Sequence, residues 1–244
     1  MKKQTIPILI ALLVFSAVGF CEKIQYPVGE RLSYRILWGI LPVGRAFITC
    51  EQITENNAPY IRIRVEAKSN RMISTLYPVN DQIDCFVDPA TGLPLRVEKK
   101  TTEGSFVCDD TLLFDRENLS AQWQSRSASI TTNYTISSNT LDVAAFLYTL
   151  RSIPFTINEP KIFKIATDGY LHGLTITAEE KKQIKVGSEK TWCTRFSAIP
   201  ERDNLFVRKI PGDIWVTDDT RRLMVQMRTK TPVGSVSVVL DETQ

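Results

Sequence analysis

The chain holds a single histidine, His172 in "YLHGL", and this one count removes most familiar hydrolytic chemistry. A Ser–His–Asp or Cys–His arrangement here would have to use His172. No Gly-x-Ser-x-Gly elbow is present. Cys193 in "TWCTRF" is the cysteine nearest to His172 in sequence. Alternation there sets Trp192, Thr194 and Phe196 against Cys193, Arg195 and Ser197, which reads as a small residue in a strand. His172 shares a face with Tyr170, Leu174 and Ile176, the setting of a hydrogen-bonded structural histidine. A two-histidine zinc motif is impossible, and none of the short cysteine spacings of a zinc site occurs. No glycine-rich phosphate loop, dinucleotide fingerprint or P-loop lysine is present either. The expectation is a non-catalytic protein with no metal and no cofactor.

Acidic pairs occur at Asp109-Asp110, Glu179-Glu180 and Asp218-Asp219. Neighbours on a strand point to opposite faces, so adjacency does not make a catalytic dyad. Asp218-Asp219 reads as turn chemistry and "EEKKQ" as a solvated turn. The arginines offer a positive hypothesis. Arg195, Arg202, Arg208, Arg221 and Arg222 fall in the last fifty residues and could rim one mouth of a curved sheet, receiving an anionic headgroup or sugar acid. The competing reading is ordinary strand charge interleaved with Glu201, Asp203 and Asp213. The candidate ligand-binding residues are Leu147, Leu150, Trp192, Trp215, Arg195 and Arg222.

Positioning these residues falls to strands. "YIRIRVEAK" sets Ile61, Ile63, Val65 and Ala67 on one face and Arg62, Arg64, Glu66 and Lys68 on the other, a half-buried strand. "GRAFITCEQIT" precedes it across "NNAP", which predicts a hairpin. "KIFKIAT", "YLHGLTIT", "TWCTRFSAI", "NLFVRKI" and "GSVSVVL" continue the pattern. One hairpin is written twice: "DCFVDPATGLPLRVEKKTTEGS" (84–105) is echoed by "DIWVTDDTRRLMVQMRTKTPVGS" (213–235) after one extra residue. "SNTLDVAAFLYTLRSIP" departs from the pattern and predicts a helix near 140–152, with Asn139 as N-cap and an apolar surface broad enough to pack on a sheet. "RMISTLYP" reads as a very short second helix.

The N-terminus has Lys2 and Lys3, an apolar run "IPILIALLVFSAVGF", and Ala17 and Gly19 at signal-peptidase spacing. About 15 apolar residues fall short of the roughly 18 to 20 that cross a bilayer. Residues 1–21 are therefore expected to be a signal peptide and 22–244 a single β-rich domain in the periplasm. Lipid anchoring through Cys21 is the minority reading, because the bulky Phe20 directly precedes it. Removing the leader leaves 28 Lys and Arg against 27 Asp and Glu, which gives no footprint for nucleic acid. Cys50, Cys85, Cys108 and Cys193 admit three disulfide connectivities. If 83–88, 94–101 and 105–114 form a meander, Cys85 and Cys108 lie two strands apart, beyond a disulfide's reach of about 7 Å, so buried free thiols are the default.

Three stretches in order carry a resemblance. Gly29-Glu30, Leu32, Tyr34, Trp38-Gly39 and Gly44, then "LDVAAFLYTLRS", then "IWVTDDTRRLMVQMRTKTPVGSVSVVL", resemble the bacterial domain-of-unknown-function 3108 family. That resemblance implies an exported envelope protein with no established activity. More loosely, the hairpins and buried helix are similar to LolA/LolB-type lipoprotein carriers. The fold expected is mainly β: a large curved antiparallel sheet or open β-barrel with one central α-helix packed against it. The function expected is binding of a hydrophobic or amphiphilic, lipid-like ligand between sheet and helix, with peripheral envelope association. The alternative is a protein-interaction module in envelope assembly, and a hydrolase is third.

Overall fold

Alternating side chains need an inside and an outside, and here one sheet supplies both. The computed structural model describes residues 24, 26–201, 212–231 and 234–243. The segment expected to be a signal peptide, Cys21, Arg202, Arg208 and "NLFVRKI" lie outside the described residues. The first half comprises β1 (Arg31–Trp38), β2 (Leu41–Glu55), β3 (Ala58–Ser69), the short α1 (Arg71–Ser74), β4 (Asn80–Val87), β5 (Pro94–Glu103), β6 (Phe106–Asp115), β7 (Ser120–Ser125) and β8 (Ile130–Thr135). After α2 (Val143–Ser152) come β9 (Pro160–Thr167), β10 (Tyr170–Val186), β11 (Glu189–Pro200), β12 (Asp213–Thr217), β13 (Met224–Thr231) and β14 (Gly234–Thr243). All fourteen belong to one antiparallel sheet, ordered β8-β7-β6-β5-β4-β3-β2-β1-β14-β13-β12-β11-β10-β9. Two meanders thus meet back to back where β1 pairs with β14.

The sheet curves until its far ends approach, yet β8 and β9 are not paired. The β9–β10 turn crosses to the first meander: Lys99 Nζ on β5 lies 3.2 Å from Asp168 Oδ1. Gly169 sits at φ 82° with the Trp123 ring so close that a Cβ would come within 2.9 Å of it. Its missing side chain permits that approach. Inside the curve, Leu32, Ile63, Phe196 and Ile214 are fully buried. Outside, Arg64 pairs with Asp84 at 2.6 Å and Arg96 lies 3.9 Å over the Phe86 ring. The four described cysteines are buried and unbridged. One segment differs from its reading as a turn: "EEKKQ" lies inside β10, where a register shift after Ala178 keeps Lys181 opposite Thr194. The reversal comes later, at Gly187, whose φ of 60° a glycine adopts freely.

The repeated hairpin folds as it is written. Both copies shift register at the equivalent step, Phe86/Val87 in β4 and Trp215/Val216 in β12. Both then turn through a left-handed residue, Gly92 at φ 73° and Arg222 at φ 45°. In each turn an aspartate bonds the backbone ahead of it, Asp88 to Ala90 N–H and Asp219 to Arg221 N–H.

α2 closes the curve from within. Its N-cap is Asp142, not Asn139: the Asp142 carboxylate accepts from the amides of Ala144 and Ala145 at 2.9 and 3.0 Å. Leu141 is still extended, bridging Ile165 of β9, so the helix cannot begin earlier. At the other end, Arg151 makes a bidentate pair with Glu30 at 2.6 and 2.7 Å, both side chains buried. Tyr148 O–H donates to the same carboxylate at 3.3 Å, and Arg151 also donates to the carbonyls of Arg221 and Arg222 at 3.0 and 2.9 Å. Arg222 answers by donating to the carbonyls of Leu150 and Arg151, a cation on a helix C-terminus. Removing one partner of a buried pair strands the other charge. Arg151→Met is therefore expected to cost about 3–5 kcal/mol in urea unfolding, and adding Glu30→Gln to recover part of the loss.

Candidate functional site

Between the first turns of α2 and the concave sheet lies a cavity of about 400 Å³. Its apolar wall follows from alternation: Ile48 on β2, Val65 on β3, Ile83 on β4 and Val97 on β5 all face inward, and Val238 and Met227 continue the wall beyond β1. α2 contributes Val143, Ala144 and Leu147. Polar groups enter where the inner faces of three strands carry acids, Asp81 of β4, Glu103 of β5 and Asp110 of β6. Lys99, Asp168 and the α2 N-cap Asp142 complete the charged part of the lining.

Each polar group has a distinct environment. Asp81 Oδ1 accepts from Thr102 N–H at 3.1 Å. Burial, and then the negative charge of Glu103 beside it, push the Asp81 carboxyl up to about 6. Trp123 Nε1–H donates to Asp110 Oδ2 at 3.2 Å. Asp110 Oδ1 and the Tyr34 hydroxyl, both of cavity-lining residues, are buried without a hydrogen-bond partner among the described residues. Such groups carry a desolvation cost that a bound polar atom would offset. Beneath, the Cys85 thiol donates to Asp142 Oδ1 at 3.0 Å. Burial, then the Asp142 charge, raise the Cys85 pKa well above that of a free thiol. A thiol so held is poorly suited to attack. Burial likewise raises Asp142 and lowers nearby Arg116 to about 10.

The residues picked out from sequence are dispersed. Leu147 lines the cavity, whereas Leu150 is wholly buried in the core. Trp192 is largely exposed, and Trp215 is half-buried, registered between Arg195 and Gln226. Arg195 is bound to Glu179, Glu180 and Asp213 within 3.0 Å, and Arg222 is spent on the end of α2. The described arginines therefore do not converge on one mouth. His172 borders a smaller cavity of about 230 Å³ with Lys164, Tyr170 and Glu201. Among the described residues no cluster of three or more His, Cys, Asp or Glu could hold a metal, and no helix is long and apolar enough to cross a membrane. The acids on inner strand faces are marked in the sequence by alternation and not by adjacency: Asp81 heads Ile83-Cys85-Val87, and Asp110 lies between Cys108 and Leu112.

The family model described as "Protein of unknown function (DUF3108)" matches residues 33–241. The chain belongs to this family. A solved structure titled a "Beta-barrel-like Protein of Domain of Unknown Function DUF1849" from Brucella abortus is similar in fold to this DUF3108 chain. It aligns with a TM-score of 0.56 at 12% identity, over 91% of this chain and 98% of that one. Comparison with curated proteins gives no match. The DUF3108 match spans β1 to β14, both copies of the hairpin and α2.

The Asp81 carboxyl makes this site legible by titration. Its folded pKa lies above the unfolded value, so its proton-linked stability is fully present below about pH 4 and lost as pH rises through about 6. Urea midpoints across that range are expected to fall for the wild type, and Asp81→Asn is expected to remove that part of the slope.

Proposed function

We propose that this DUF3108 protein is an exported, non-catalytic binding protein of the cell envelope that holds an amphiphilic, lipid-like molecule between its sheet and α2. The observation that carries the reading is the cavity of about 400 Å³, of a size typical for small-ligand sites, with an apolar wall and charge confined to one part of its lining. The apolar portion of the ligand packs against Ile48, Val65, Ile83 and Leu147. Its polar head meets Asp81, Glu103 and Asp110. Acids outnumber Lys99 there, so the favoured head is neutral or cationic and donates hydrogen bonds, such as an amine or hydroxyl. The leader-like residues 1–21 support the envelope setting.

Native mass spectrometry of the protein purified from its envelope tests this directly. A co-purifying small amphiphile is the expected result. A stoichiometric protein partner with no small molecule would replace the reading with that of an assembly module. Ala67→Trp, which adds bulk at the cavity wall, is expected to weaken binding of the fluorescent amphiphile N-phenyl-1-naphthylamine at least about tenfold. Its Tm should stay within about 3 °C of the wild type, since the indole enters space and not packed atoms.

A further inference from the structure

One end of the sheet carries apolar side chains that no strand alternation requires. In the β1–β2 hairpin Ile40 is 92% exposed, with Trp38 and Leu41 exposed beside it. In the connection through α1, Leu76 is 87% and Met72 72% exposed, and Tyr77 is exposed next to them. The β5–β6 hairpin adds Phe106 and Val107. These turns form one continuous rim. Asn70 N–H donates to Val43 O at 2.9 Å and Asn70 Nδ2 to Pro42 O at 2.6 Å, tying α1 to the first hairpin. Gly104 N–H donates to Pro78 O at 2.8 Å, and the Tyr77 ring covers Gly104 so closely that a Cβ would lie 2.7 Å from it. The same strand ends supply Ala67, Asp81, Thr101 and Glu103 to the cavity, so the rim surrounds its charged side.

The turns themselves carry mostly basic charge. The stretches 38–45, 68–77 and 100–107 contain Arg45, Lys68, Arg71 and Lys100 against one acid, Glu103. Arg45 lies 3.6 Å from Asp241, while Lys68, Arg71 and Lys100 make no ion pair among the described residues. Three further acids lie behind the turns: Glu66 on the outer face of β3, Asp81 in the lining of the cavity, and Asp109, opposite Lys100 and paired with Arg126. Aromatic and aliphatic tips with cations set just behind them match the layering of a lipid interface, with apolar groups in the acyl boundary and Lys or Arg at the headgroups. Separate loop tips also suit a fluid layer that closes around each of them. A rigid protein partner would have to match their shape.

We propose that this rim docks on an anionic lipid surface, with Ile40, Leu76 and Met72 entering the acyl boundary and Arg71, Lys68 and Lys100 at the headgroups. Docking there sets the charged side of the cavity against the membrane, where an amphiphile can pass between bilayer and protein. The proposal rests on the cavity reading for its purpose but not for its test.

The test uses the protein as recovered from its envelope with vesicles of phosphatidylglycerol and phosphatidylethanolamine, brominated in the acyl chains. Tryptophan emission is expected to be quenched on binding, and that quenching to be lost in Trp38→Phe. Ile40→Asp/Leu76→Asp, two changes on exposed side chains, is expected to weaken vesicle binding about a hundredfold with an unchanged circular dichroism spectrum. Binding of N-phenyl-1-naphthylamine from solution should be unaffected, so failure of docking and failure of the cavity reading register separately. Equal binding to phosphatidylcholine vesicles would overturn the anionic component. Vesicle binding without Trp38 quenching, or a protein captured by the wild type and lost in the double variant without any vesicle binding, would overturn the proposal.

Discussion

The buried pair between Glu30 and Arg151 is the constraint on which the rest of the structure depends. Two charges taken from water are tolerable only if every remaining donor and acceptor is met, and here the partners come from three parts of the chain. Glu30 precedes β1, Arg151 ends α2, and the carbonyls of Arg221 and Arg222 belong to the β12–β13 turn. Fixing this cluster fixes the C-terminal end of α2 against the junction of the two meanders. The N-terminal end is held by Asp142, whose carboxylate serves two helix amides and the Cys85 thiol of β4. The helix is thus tied at one end to each copy of the repeated hairpin.

That attachment explains why the interior is incompletely filled. A strongly curved sheet of many strands encloses more volume than its inward side chains occupy. α2 is only ten residues long and spends Phe146, Tyr148 and Leu150 on the closed part of the core. Its remaining face, Val143, Ala144 and Leu147, carries short or flexible side chains and meets the wall across open space. The polar groups Asp81, Glu103 and Asp110 then tolerate inward positions because they stand at strand ends or, for Asp110, bond an indole.

Much of the architecture was legible because periodicity is local. The alternation of Ile61 to Ala67, the asparagine turn before it and the duplicated hairpin each specify geometry within a few residues, and each is found in the sheet. The helix was legible as a helix, but its cap depended on a contact far away in sequence, the extended pairing of Leu141 with Ile165. "EEKKQ" misled for a related reason: its charges face solvent on a strand, a composition shared with turns. The cavity was the least legible feature. Leu147 could be named from the helix alone, but Arg195 and Arg222 find partners set by the strand order and by α2, which no spacing encodes. The informative sign was present: acids at every second position beside apolar residues.

The seam between β8 and β9 has a mechanical consequence. In a closed barrel the girth is set by strand number and stagger, because backbone bonds run unbroken around the circumference. Here that hoop is cut, and the gap is spanned by the Lys99–Asp168 ion pair, the stacking of a glycine turn on Trp123, and the segment leading into α2. Side-chain contacts stretch and slide at far lower cost than a ladder of amide bonds. The wall is therefore stiff along its strands and compliant around its waist, so the enclosed space can widen without any strand leaving its neighbour.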